Sequence, residues 1–102
     1  MVNFHAQIAD IYRLTGEDSK AVSYYLQARR LAGGSTHFLT LTASIFYHLA
    51  VIHLKHERYT LAASFLKSAK KQFQSLFLQN QLPRYRQRLT EISELQQQLP
   101  VF

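Results

Sequence analysis

The amino-acid sequence predicts an all-α protein that consists of two similar helical hairpins and a final capping helix. The main observation is an internal repeat: a pattern of large and small residues returns about 41 positions further along the chain. Only three glycines and two prolines occur in 102 residues, which leaves little room for β-turns and favours long helices. Apolar residues make up 47% of the chain, so we expect a single domain with a well-filled core over residues 1–102.

The first helix is expected over about residues 3–14. Phe4, Ile8 and Tyr12 recur there at helical spacing. Gly16 follows directly and suits the left-handed conformation that ends many helices. These features predict the first half of a hairpin and the turn after it.

A cap at Asp18 or Ser19 is expected to begin the second helix, which would end near Ala32. Gly33–Gly34 is the strongest break in the chain and closes the first repeat, at about residues 2–34. The predicted inward face of this helix consists of Ala21, Val22, Tyr25, Ala28, Leu31 and Ala32.

The second repeat is expected over about residues 36–78. Its first helix would begin at Ser35 or Thr36 and run to about Lys55, and its second would run from about Tyr59 to Leu78. The first of these is apolar around nearly its whole circumference, which predicts burial on more than one side. The second is expected to point inward Leu61, Ala62, Phe65, Leu66, Ala69, Phe73 and Phe77.

The last helix is expected over about residues 82–99, with Pro83 in its first turn. One face is apolar and the other is rich in Arg, Gln and Glu, as expected of a cap whose outer side meets water. The tail Val101–Phe102 is expected to be a loose end. The apolar stripe consists of Tyr85, Leu89, Ile92, Leu95 and Leu99.

Alanines occupy matching places in both repeats. Two helix axes approach to about 8 Å only where side chains are small, so these alanines are expected to mark the contacts between paired helices. The matched sets are Ala9, Ala21 and Ala28 in the first copy and Ala50, Ala62 and Ala69 in the second.

The order of these residues resembles the tetratricopeptide repeat, in a long-period variant. The first copy has the large-small pair Ile8–Ala9, then Tyr12, the turn Gly16, Ala21, an aromatic residue and Ala28. The second copy departs from this pattern at His53 and Glu57. The resemblance implies a right-handed superhelix of antiparallel helices whose concave groove binds an extended or helical peptide.

The resemblance also implies which residues line that groove. The chain lacks the Lys and Asn of the carboxylate clamp of chaperone-binding members, because those places hold Ala6 and Asp10. The expected ligand contacts are Asp10, Arg13, Tyr47, His48, Val51, Lys55, Arg84 and Arg88, with Ser44 and Glu91 beside them. A non-catalytic adaptor, scaffold or regulatory fragment that binds a peptide or protein is therefore the favoured function.

The alternative is non-specific nucleic-acid binding. The net charge is +6, and most of the basic residues lie in the second half of the chain. A basic stripe with Tyr85 beside it resembles a surface that holds a phosphate backbone and stacks a base. The basic patch consists of Lys67, Lys70, Lys71, Arg84, Arg86 and Arg88.

Other functions find little support in the sequence. It contains no phosphate-binding glycine loop or nucleophile motif, so neither catalysis nor a cofactor is expected. His48, His53 and His56 share a helix, but no cysteine completes a metal site. No apolar run is read as a membrane span, and we expect a soluble, cytoplasmic protein. Because two repeats are few, Phe4, Ile11 and Tyr24 are candidates for an exposed edge that self-associates.

Overall fold

A computed structural model describes residues 2–100 and confirms the all-α class. Within that range the structure contains five α-helices, one 3₁₀ turn and no β-strand. Val101–Phe102, the predicted loose end, lies outside the described residues. The elements are α1 (Val2–Leu14), α2 (Asp18–Ala32), a 3₁₀ turn (Thr36–Phe38), α3 (Leu39–Lys55), α4 (Tyr59–Gln79) and α5 (Pro83–Gln97).

The chain divides into two compact units, Met1–Phe38 and Leu39–Phe102. The first unit contains the hairpin of α1 and α2, and the second contains the hairpin of α3 and α4 with α5 packed on α4. Each unit therefore corresponds to one predicted hairpin, and the second also includes the predicted capping helix.

The repeated alanines lie at the contacts between paired helices, as the sequence predicts. All six, in both hairpins, have no exposed surface. Burial of a methyl group at these points lets the two backbones of each hairpin approach closely. Tyr25 and Leu66, which also occupy matching places, are the largest fully buried side chains of α2 and α4.

The turn between helices has the same backbone hydrogen bonds in both hairpins. In the first, the amide of Glu17 donates to the carbonyl of Tyr12 at 2.8 Å and the amide of Gly16 donates to Arg13 at 3.3 Å. Two hydrogen bonds with these sequence separations define a Schellman motif, in which the last carbonyl groups of a helix accept hydrogen bonds from the turn that follows. Gly16 has a φ of 84°, so the predicted left-handed C-cap is confirmed.

Glu57 occupies the left-handed position of the second turn. The amide of Arg58 donates to the carbonyl of His53 at 2.8 Å, and the amide of Glu57 donates to Leu54 at 3.0 Å. Glu57 has a φ of 60°, which a side chain with a Cβ atom adopts at a cost. The second turn thus preserves the motif of the first without its glycine.

An aromatic pair also recurs between the helices. The rings of Tyr12 and Tyr24 stack at 5.6 Å in the first hairpin. The rings of His53 and Phe65 stack at 5.6 Å and are nearly parallel, at 6°, in the second. His53 therefore takes the packing place of the tyrosine, as its position in the repeat predicts.

The core of the second unit joins all three of its helices. Phe46 of α3, Leu66 and Phe73 of α4, and Tyr85 and Ile92 of α5 belong to one buried cluster. Because α3 and α4 supply the rest of this core, α5 needs only one apolar stripe. The predicted stripe is confirmed: Leu89, Leu95 and Leu99 pack against this cluster.

Several details of the predicted boundaries and faces are wrong. No side chain caps α2, because Glu17 holds the cap position and Asp18 is already helical. A 3₁₀ turn precedes α3, and the Ser35 hydroxyl accepts a hydrogen bond from the His37 amide at 3.2 Å. The two leucines Leu31 and Leu61, predicted to point inward, are 52% and 47% exposed.

One helical segment, Thr36–Lys55, is long and apolar enough to cross a membrane, contrary to the sequence expectation. Of the 18-residue stretch of this segment that meets the hydropathy criterion, 44% is buried inside the structure. Phe46 and Ala50 belong to the core that α3 shares with α4, and the core helix of a soluble protein meets the same criteria. The segment is therefore weak evidence for a membrane span.

Candidate functional site: the cleft between helices α3 and α5

Asp10 and Arg13, two of the predicted groove residues, lie in the first unit and contact the buried Tyr25. The Tyr25 hydroxyl donates a hydrogen bond to a carboxylate oxygen of Asp10 and accepts one from Arg13 Nε at 2.9 Å. Asp10 and Arg13 also form an ion pair at 3.5 Å. Burial, followed by the bond to Asp10, raises the pKa of Tyr25. These two side chains therefore join α1 to α2.

Tyr47 of α3 contacts two side chains of α5 in the second unit. The Arg88 guanidinium lies over the Tyr47 ring, 4.3 Å from its centre, and forms an ion pair with Glu91 at 3.4 Å. The Tyr47 hydroxyl donates to Glu91 at 3.3 Å. The three side chains therefore form one cluster between α3 and α5.

A cleft of about 200 Å³ opens beside this cluster. Two arginines one helical turn apart on α5 face two hydroxyl residues one turn apart on α3 across this cleft. The six residues that line it are Thr40, Ser44, Phe73, Arg84, Tyr85 and Arg88.

The electrostatics of the cleft favour negative charge. The Tyr85 hydroxyl lies 3.4 Å from the hydroxyl of Thr40, and the Arg84 guanidinium lies 5.3 Å from the centre of the Tyr85 ring. The hydrogen bond with Thr40 and the nearby Arg84 charge lower the pKa of Tyr85. Burial and the Glu91 carboxylate raise the pKa of Tyr47. The cleft side of α5 is thus positive, and Glu91 supplies the negative charge next to Tyr47.

The remaining predicted groove residues of α3 do not line this cleft. The half-buried His48 packs its ring edgewise against Tyr47 at 5.5 Å. Val51 lies one turn beyond Tyr47 and is half-buried, and Lys55 is the exposed last residue of the helix. The structure therefore assembles Tyr47, Arg84 and Arg88 around one site, whereas His48, Val51 and Lys55 continue along α3.

The predicted basic patch separates into two groups. Lys71 of α4 lines a second cleft, of about 310 Å³, together with Leu39, Phe46, Ser68, Gln72 and Ser75. Lys67 is exposed one turn before Lys71, and Lys70 is half-buried. Arg84 and Arg88 line the first cleft, and Arg86 is exposed and lines neither.

Thr40 is the cleft residue that the sequence analysis does not identify. It is exposed at the start of α3, four residues before Ser44, and therefore shares a helix face with it. That spacing is the signal that could have identified Thr40. Tyr85, which is expected from the sequence on the apolar stripe and as a base-stacking ring, also has a hydroxyl that reaches Thr40.

His53, the buried histidine of α3, accepts a hydrogen bond from the turn that follows the helix. Arg58 donates to His53 Nδ1 at 3.0 Å, so this nitrogen carries no proton and the other ring nitrogen does. Burial, and the charges of Arg58 and His56, lower the pKa of His53. Within residues 2–100, no three His, Asp or Glu side chains group closely enough to hold a metal ion.

Comparison with family models, curated proteins and solved structures finds no match to this chain. Function is therefore inferred from the geometry of the cleft.

Proposed function

We propose that the chain is a non-catalytic interaction module that binds a peptide or a partner helix along α3 and α5. The observation that supports this is the cleft itself, which is lined by polar groups of Ser44, Arg84 and Arg88. The alanine contacts that hold the hairpin together lie elsewhere on the helices. Polar side chains around a small cavity beside an aromatic residue are typical of recognition sites.

The repeated turns, alanines and aromatic stacks also support a tetratricopeptide-like arrangement. In that arrangement the two hairpins would stack in a right-handed superhelix, and α3 and α5 would belong to its concave side. An adaptor or scaffold in the cytoplasm would use such a surface, and the absence of cysteine suits a reducing compartment.

Site-specific photocrosslinking tests the proposal. A benzophenone amino acid is placed at His48, one turn beyond Ser44 on α3 and outside the cleft, and in a control protein at the exposed Gln87 of α5, which does not line it either. Crosslinked proteins from source cells are identified by mass spectrometry, and the affinity of the purified partner is measured by calorimetry. We expect a partner captured from His48 alone and an affinity that Tyr47→Ala lowers by about tenfold.

Two results would contradict the proposal. Equal capture from His48 and Gln87 would show that the surface along α3 beside the cleft has no special role. Capture of nucleic acid rather than protein, with affinity that falls steeply as salt rises, would favour the basic-patch alternative.

A further inference from the structure

Helix α1 has an exposed face that is largely apolar. The exposed residues of this helix are Asn3, Phe4, Gln7, Ile11 and Leu14, and none of them is charged. The three large apolar side chains among them are 58%, 60% and 74% exposed. The opposite face of the helix packs against α2 within the hairpin. The exposed face therefore presents a patch of apolar surface to water, and such patches commonly mark interaction sites.

The exposed residues recur at the spacing of a coiled-coil seam. Phe4, Gln7, Ile11 and Leu14 are separated by three, four and three positions, which is the a–d–a–d pattern of two heptads. This pattern places the side chains on the narrow stripe that one helix presents to another. The face therefore suits a second helix.

Helix α1 is already folded before any partner arrives. Its 13 residues are held on α2 by buried alanines and by the contacts of Asp10 and Arg13 with the Tyr25 hydroxyl. Docking of a second helix therefore does not include the cost of forming this one, which makes short helices unstable in isolation. Two heptads form a small interface, so the association is expected to be weak.

The charge distribution favours a second copy of the chain as the occupant. Residues 1–38 contain four basic and three acidic side chains, whereas residues 39–102 contain eight basic and three acidic ones. Two first units can therefore meet with little electrostatic repulsion, whereas two second units would repel each other. A partner attracted by opposite charge would bind the second unit instead.

The seam is also symmetric about its centre. When a second copy of α1 runs in the opposite direction, Phe4 faces Leu14 of that copy and Gln7 faces its Ile11. In this arrangement the positive N-terminus of each helix lies beside the negative C-terminus of the other. A polar residue at one seam position, here Gln7, specifies the alignment at some cost in stability.

We propose that two copies of the chain associate by antiparallel packing of α1 on α1, with Phe4, Ile11 and Leu14 buried between them. The surface differs in one residue from the exposed edge that the sequence predicts. Tyr24 is half-buried and stacks on Tyr12 within the hairpin, and Leu14 extends the seam instead. The association does not depend on the cleft between α3 and α5.

Sedimentation equilibrium of the full chain, from about 10 μM to about 1 mM, tests the association. The matched variants are Ile11→Glu and Leu61→Glu, which place the same charge at residues that are 60% and 47% exposed; only Ile11 lies on the seam, and Leu61 lies on α4. We expect a monomer–dimer equilibrium for the wild type. Ile11→Glu should weaken it by more than about tenfold, since it buries an unpaired charge, and Leu61→Glu should change it little. Circular dichroism confirms that both variants keep their helices.

A charge-exchange experiment tests the orientation of the two helices. Phe4→Glu and Leu14→Lys place charges that suit the two ends of a helix, so each should leave α1 folded. Either variant alone should dimerise poorly, because both of its outer layers set a charge against an apolar side chain. In an equal mixture, antiparallel packing brings the introduced glutamate against the introduced lysine in one layer and leaves the other layer unchanged. We expect the mixture to associate at least about tenfold more tightly than either variant alone.

A monomer at every concentration would overturn the proposal. Equal weakening by Ile11→Glu and Leu61→Glu would also overturn it, since it would indicate association without a defined seam. So would species that continue to grow beyond a dimer, because a two-fold contact closes after two copies. A mixture of Phe4→Glu and Leu14→Lys that associates no better than its components would overturn the antiparallel packing.

Discussion

Glu57 adopts a backbone conformation that belongs to glycine in the first hairpin. Its φ is 60°, and Gly16, at the matching place, has a φ of 84°. The Glu57 side chain is exposed at the α3–α4 turn. Replacing Glu57 by glycine should therefore relieve backbone strain and should stabilise the protein.

The magnitude follows from two opposing terms. A side chain with a Cβ atom costs about 1–2 kcal/mol in the left-handed region. Glycine offsets part of this gain because it makes the unfolded chain more flexible, by about 0.5–1 kcal/mol. We expect Glu57→Gly to raise the free energy of unfolding by about 0.5–1 kcal/mol, and the melting temperature by about 2–8 °C for a domain of this size.

Thermal and urea unfolding, followed by circular dichroism, measure this change, and Glu57→Ala is the matched control. The alanine variant also removes the carboxylate but keeps the Cβ atom, so it should not reproduce the gain. The reciprocal variant Gly16→Ala should destabilise by about 1 kcal/mol. No atom lies within 4 Å of a Cβ added at Gly16, so its cost comes from the backbone alone. An unchanged or lower melting temperature for Glu57→Gly, or an equal gain for Glu57→Ala, would refute this reasoning.

Three further predictions concern the hairpin contacts. Ala62→Leu should destabilise by about 1–3 kcal/mol in urea unfolding because it overpacks a fully buried contact, whereas Ala63→Leu, at a half-buried neighbour, should cost less. Tyr25→Phe should cost about 1–2 kcal/mol in the same assay, because the carboxylate and guanidinium on α1 lose their shared hydroxyl; an unchanged urea midpoint would contradict this. The folded-state pKa of His53 is lowered, so its contribution to stability is present above pH 6.5 and is lost as pH falls through the folded value. Urea midpoints at neutral and mildly acidic pH should show this loss, and His53→Tyr, which restores the aromatic residue of the first hairpin, should reduce it.

The helical hairpins were predictable because their contacts depend on residue size at fixed spacing. Ala21 and Ala62 are small where two backbones meet, and no choice of side-chain conformation alters that requirement. The turn at Glu57 was harder to predict, since the sequence there departs from glycine. Its Schellman motif is formed by main-chain groups, and such hydrogen bonds form around any residue that tolerates a positive φ.

The candidate site was only partly predictable because long polar side chains choose between partners. Helical spacing places Arg13 and Arg88 on the surfaces of their helices, but it does not decide where their guanidinium groups turn. Arg13 contacts Tyr25 within its own hairpin, and Arg88 contacts Tyr47 on another helix. The sequence alone does not show whether such an arginine makes a structural contact or belongs to a site. The answer depends on which aromatic ring its guanidinium group can reach in the folded protein.

The two hairpins differ in the polar contacts that their first helices make. In the first, Asp10 joins α1 to the Tyr25 hydroxyl on α2. The matching positions in the second hairpin are Val51 and Leu66, which have no polar group to form that link. Thr40 and Tyr47 of α3 make polar contacts with α5 instead. The first hairpin therefore joins its two helices by a polar link, whereas in the second unit polar contacts join α3 to the capping helix.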